Sequence, residues 1–158
     1  MRELILLRHA HAEPAGTGQA DLDRPLSQTG LAEAEAAGKW LAENELLPDC
    51  VVCSPSRRTR ETLEAVLGKT GFVEKMLEDQ IYEATPGVLT GVIDRRWDVD
   101  RLLVVGHNPG LEQLVAFLTE GTSSDYRGMP PAGVAVLSFE GESTLEPGAA
   151  TLTQFWWP

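Results

Sequence analysis

Two four-residue runs, Leu4–Leu7 and Leu102–Val105, are apolar at every position. A strand points successive side chains to opposite faces, so a run without a polar residue must be covered on both sides. That is the condition of a central strand in a parallel sheet packed between helices. Strands are expected at Glu3–Leu7, Cys50–Cys53, Phe72–Met76 and Leu102–Gly106. Between the first two, Thr29–Asn44 carries Leu31, Ala34, Gly38 and Leu41 at helical spacing after the turn residues Ser27-Gln28-Thr29, which reads as an amphipathic helix. Ser56–Leu67 and Thr85–Arg95 are further helices, the latter with Pro86 in its first turn, where a missing donor is tolerated. Asn108-Pro109-Gly110 opens another, Leu111–Leu118, and Thr119–Pro131 is a polar loop. Two late strands, Val134–Phe139 and Thr151–Trp157, are expected as sheet edges. The alternating order predicts an α/β three-layer sandwich, a mainly parallel central sheet with helices on both faces.

The 158 residues suit one domain spanning 1–158 with a single core. No apolar run approaches the ~20 residues of a membrane helix. The N-terminus lacks the ~7 to 15 apolar residues of a secretory signal, so a cytoplasmic location is expected. Thirteen Lys and Arg oppose 24 Asp and Glu, a net charge of −11. A surface this acidic argues against nucleic acid as a partner. Ten of the thirteen cations are Arg, the residue that grips phosphate with a two-pronged fork.

Cys50 and Cys53 have a C-x-x-C spacing, yet they flank Val51-Val52 in a strand. Residues i and i+3 of a strand face opposite ways, so two small core thiols are expected rather than a redox pair.

The three histidines stand in two places, each at the carboxyl end of an apolar strand: Arg8-His9-Ala10-His11 after Leu7, and His107-Asn108-Pro109 after Gly106. Ligand crevices of open α/β sheets lie outside those ends. A third strand end supplies Ser54-Pro55-Ser56-Arg57-Arg58-Thr59-Arg60, giving the crevice three histidines and four arginines. Two cations about 4 Å from a phosphoryl dianion each contribute about 4 kcal/mol per charge pair at an effective dielectric near ~20. Helix N-termini after Ser56 and His107 add donors aimed the same way. A small phosphorylated group is the implied ligand.

Leu7-Arg8-His9-Ala10, Asp23-Arg24-Pro25-Leu26-Ser27-Gln28-Thr29-Gly30, Ser54 to Thr62, and Val104-Val105-Gly106-His107-Asn108-Pro109-Gly110 occur in that order. Together they resemble the histidine phosphatase superfamily, and within it the small SixA-type protein phosphohistidine phosphatases, across nearly the whole chain. The resemblance implies a phosphoglycerate mutase-like fold and a phosphatase that needs no metal or other cofactor. It makes His9 the nucleophile, Arg8 and Arg58 the phosphate-binding cations, and His107 a second contact to the phosphoryl group. Many members carry an acid after the third strand, and Glu83 stands at about that point; its other reading is a carboxylate stabilising the following helix. A phosphorylated imidazole can leave already protonated, whereas an alkoxide needs a proton. The implied partner is a phosphohistidine-bearing protein, with a small phosphate ester as the alternative.

Other readings compete at several residues. His9, His11 and His107 suit a metal hydrolase, although such enzymes use a barrel of ~250 residues and Arg8 would repel the ion. A phosphate-binding module without turnover is a further alternative. His11 is expected at the crevice rim, and Arg57 and Arg60 as solvated helix charges, with Arg60 spaced to pair with Glu64. Arg95 and Arg96 read as helix C-terminal charges, and Trp156 and Trp157 as strand packing.

Overall fold

The computed structural model describes residues 2–122, 128–141 and 144–158, so part of the Thr119–Pro131 loop lies outside the described residues. Six strands form one sheet: β1 (Arg2–Arg8), β2 (Cys50–Cys53), β3 (Lys75–Leu77), β4 (Arg101–Gly106), β5 (Val134–Phe139) and β6 (Ala150–Trp156). Their order is β3-β2-β4-β1-β5-β6. The first four are parallel; β5 runs antiparallel to β1 and β6 antiparallel to β5.

Helices α1 (Gln28–Glu43) and α2 (Arg57–Thr70) cover one face, α3 (Pro86–Asp94) and α4 (Gly110–Glu120) the other. The sheet divides its side chains between them by alternation. Leu4, Leu6, Cys50, Val52, Leu102 and Val104 pack with Leu89, Ile93, Leu111 and Leu114 of α3 and α4. Ile5, Leu7, Val51, Cys53, Leu103 and Val105 pack with Ala34, Leu41, Leu63 and Val66 of α1 and α2. The sandwich expected from the doubly apolar strands is therefore present. Cys50 and Cys53 fall in opposite cores as free thiols, and burial pushes Cys53 up to about 12.

The chain departs from the sequence reading at two strands. Val134–Phe139 is not an edge: β5 lies between β1 and β6, nearly all buried, and β6 alone of the late pair borders solvent. The difference was written in their patterns, since Val134 to Leu137 is continuously apolar whereas Thr151 to Gln154 holds one apolar residue, Leu152. The third strand is Lys75–Leu77 rather than Phe72–Met76, and Phe72 is 93% exposed. Gly71, at φ 99°, ends α2, and the chain first bonds to β2 at Glu74, whose carbonyl accepts from the Val51 amide at 3.0 Å, with residue pairs beginning at Lys75. An edge strand this short, with a lysine on it, is poorly suited to pairing with another chain.

Caps fix where the helices begin. Ser27, Ser56 and Thr85 accept from the backbone amides of Gly30, Thr59 and Val88, each such cap contributing about 1 kcal/mol. Close approach of α1 to α2 depends on Gly38, where an added Cβ would lie 2.9 Å from the Val66 backbone. Gly38→Val should therefore overpack the helix pair and lower unfolding free energy by about 1–3 kcal/mol; the shift in urea midpoint measures it.

Candidate active site

The carboxyl ends of β2, β4 and β1 lie side by side, with Arg8 opposite Gly106 and Cys53 opposite Val105. Whatever follows these three strands must share one crevice. A cavity of about 520 Å³ opens there, lined by Arg8, His9, Arg58 and His107 together with Asp21, Arg24, Tyr82 and Glu83.

His9 continues the β1 ladder: its amide donates to the Gly106 carbonyl at 3.1 Å, and its own carbonyl accepts from Ala132 at 3.2 Å. Its ring Nδ1 is 2.7 Å from the Ala10 carbonyl. A carbonyl can only accept, so Nδ1 carries the proton and Nε2 keeps its lone pair. The rings of His9 and His107 are 5.3 Å apart, tilted at 59°. His107 Nε2 is 2.8 Å from Ser54 Oγ, and its Nδ1 is 3.4 Å from Arg58 Nη2. Burial, followed by the charges of Arg58, Arg8 and Arg24, lowers His9 to about 4 against the opposing pull of the Ala10 carbonyl. Burial, with His9 and Arg58 nearby, lowers His107 to about 3. Two neutral imidazoles thus stand at neutral pH among fixed cations, which is the state a nucleophilic nitrogen requires.

Arg58 projects from the first turn of α2 and its side chain is only 7% exposed. Nη1 donates to the Asp21 carbonyl at 2.8 Å, Nη2 to Asp21 Oδ2 at 3.1 Å, and Nε is buried without a partner. Arg8 donates Nη1 to the Met129 carbonyl at 2.8 Å, and its Nε is likewise buried and unpartnered. Asn108 donates to the same carbonyl at 2.9 Å and accepts from the Glu112 amide at 3.2 Å. The wall beside α4 depends on Gly110, where an added Cβ would lie 2.4 Å from the Ala84 carbonyl oxygen.

The structure sorts the residues singled out from sequence. Arg8, His9, Arg58, His107 and Glu83 all reach the cavity; Glu83 is exposed at its edge with φ 56°. His11 is not on the cavity wall: its Nδ1 is 2.7 Å from Ser27 Oγ and its amide donates to Glu33, so it fastens the loop after β1 to α1. Arg57 and Arg60 also lie outside the cavity, because successive positions of α2 turn by about 100° and only Arg58 faces the strand ends. Arg57 pairs with Glu61 at 3.2 Å, and Arg60 donates to the Pro55 carbonyl rather than pairing with Glu64. The four expected crevice arginines become Arg8, Arg58 and one not singled out, Arg24. Arg95 and Arg96 reach Glu78 at 3.9 and 4.0 Å. Trp156 stacks on Trp40 at 5.4 Å. Among the described residues no three His, Cys, Asp or Glu side chains are grouped so as to hold a metal ion.

Three residues besides Arg24 were missed. Ser54 could have been found, since it directly follows a strand that ends beside His107. Asp21 and Tyr82 had no local signal: they sit on two short turns, Asp21–Asp23 and Asp79–Ile81 with its following residue, that only the fold brings together. Tyr82 donates its hydroxyl to Asp21 Oδ2. That bond, with Arg24 at 3.1 Å and Arg58, holds the Asp21 carboxyl well below the usual range and raises the Tyr82 phenol.

Known proteins match this arrangement. The model of the histidine phosphatase superfamily (branch 1) matches residues 4–98. An uncharacterised protein of Mycobacterium tuberculosis is 38% identical over 160 residues, covering 94% of this chain and 98% of that one. A provisionally assigned phosphohistidine phosphatase SixA from Nakamurella multipartitia superposes with a TM-score of 0.86 at 31% identity, over 99% of this chain and 96% of that one. A second, from Agrobacterium tumefaciens, gives 0.85 at 28%, over 99% and 98%.

The two depressed histidines have a consequence for stability. Unfolded, each binds a proton near pH ~6.5; folded, each remains neutral to about 4 and about 3. The unfolded chain therefore holds more protons between these limits, so stability should fall as pH drops from about 7 towards 4. Denaturant midpoints at several pH values should show that slope, and His9→Asn with His107→Asn should flatten it.

Proposed function

The chain belongs to the histidine phosphatase superfamily, and from that premise we propose that it dephosphorylates phosphohistidine on a protein through a phosphorylated His9. The observation that carries the reading is the proton position on His9: Nδ1 is tied to the Ala10 carbonyl, which leaves Nε2 as the free base inside a cationic cavity. In the first step Nε2 bonds to phosphorus as the bond to the leaving group breaks in line. In the second, water attacks phosphorus and the bond to Nε2 breaks, releasing phosphate and restoring the imidazole.

Arg8 and Arg58 hold the nonbridging oxygens, where charge is spread in the transition state. A dianion bound beside His107 raises its affinity for a proton, so that its Nδ1 donates to the phosphoryl group alongside Arg58. The part left to the leaving group decides the substrate. An N-phosphorylated imidazole that is protonated on its other nitrogen departs as neutral imidazole and asks no proton of the enzyme. An alkoxide does, and Glu83 is the carboxyl at the cavity edge positioned for that service. The SixA assignments of the two solved relatives support the phosphohistidine reading, as does a cavity open to solvent at Asp21 and Glu83.

Rapid quench of the enzyme with a 32P-phosphohistidine protein should trap acid-labile label on the chain. His9→Ala should abolish both the label and phosphate release, a loss of at least about a thousandfold. Binding of the phosphoprotein without release of phosphate would sink the reading, and faster turnover of sugar phosphates by a wide margin would move the substrate to small esters.

A further inference from the structure

The cavity is cationic at its floor and acidic at its mouth. Arg58, His9 and His107 are the more buried members, whereas Asp21 is 50% exposed and Glu83 exposed. Of these two carboxylates Asp21 is the one fixed in place. Its Oδ2 takes the Tyr82 hydroxyl and Arg58 Nη2, and its Oδ1 takes Arg24 Nη1 at 3.1 Å. Tyr82 is itself held, its ring edge-on to His107 at 5.4 Å and 5.9 Å from the Arg58 guanidinium carbon. Three contacts thus fix this carboxylate, paired with Arg58 and Arg24, on the wall of the cavity that Arg8 and His9 also line.

We propose that Asp21 selects the substrate by the charge beside its phosphoryl group: it favours a cationic ring, such as that of a protonated phosphoimidazole, and disfavours a substrate bearing its own carboxylate, such as a phosphoglycerate. The inference rests on the phosphatase reading above and adds the determinant of its substrate class. For the favoured substrate, Asp21 accepts from, or lies beside, the protonated ring nitrogen. That stabilises the form whose phosphorus–nitrogen bond breaks to give neutral imidazole. For an anionic ester the same charge acts as a repulsion, which discriminates between partners as effectively as an added attraction. Asp21 does not act as the proton donor, since its surroundings keep it ionised.

The test is the ratio of kcat/KM for a phosphohistidine peptide to that for 3-phosphoglycerate, in wild type, Asp21→Asn and Asp21→Glu. Asparagine keeps the size and loses the charge, so the ratio should fall about five- to tenfold at low salt, the size expected of one half-exposed charge, and less at high salt. Glutamate should restore most of it. A mere loss of scaffolding would slow both substrates alike in Asp21→Asn and leave the ratio unchanged, which would overturn the proposal. So would failure of glutamate to restore the ratio. Absence of turnover by the wild type on both substrates would instead overturn the phosphatase reading and this inference with it.

Discussion

The side-by-side ending of three parallel strands is the constraint from which the site follows. Neighbouring strands lie about 4.8 Å apart, and the register sets Arg8 against Gly106 and Cys53 against Val105. Residues some 50 and 100 positions from His9 in the chain, Arg58 and His107, are thereby carried into the same cavity. Both faces of those strands are filled by helices, so the ends cannot shift against one another without opening a core. The precision of the site is borrowed from that packing.

Gathering this many positive groups creates an electrostatic problem that the protein solves in two ways. Burial keeps His9 and His107 neutral, which removes two charges from the cluster and yields a free base. The charge that cannot be removed, on Arg58, is balanced by Asp21. Asp21 belongs to a turn in the long connection between β1 and α1, and Tyr82 to the one between β3 and α3. These two loops close over the strand ends and set the character of the mouth, while the strand ends set the chemistry of the floor.

Much of this was legible in the residues. Continuous apolarity at Leu4–Leu7 and Leu102–Val105 announced strands covered on both sides, and the helices lie within about three residues of their expected ends. Arg8, His9 and His107 declared themselves because each stands at a strand end in a motif, and Arg58 because it lies in the motif that follows β2. Local pattern failed where position in the sheet was decided at a distance. Phe72–Met76 has strand-like residues, but β3 begins where β2 offers partners. Arg57, Arg58 and Arg60 look alike in sequence, and helical geometry separates one from the others. His11, two residues from His9, is turned away by Ser27 and Glu33.

The sequence by itself determined the layered α/β architecture and which side chains gather in the cavity at the strand ends, because hydrophobic periodicity and strand-end motifs are short-range properties. Tertiary structure decided which nitrogen of His9 is free, that its ring is neutral, and that Asp21 and Tyr82 guard the cavity. Those depend on burial and on contacts between residues dozens of positions apart, and neither is a property of any segment taken alone.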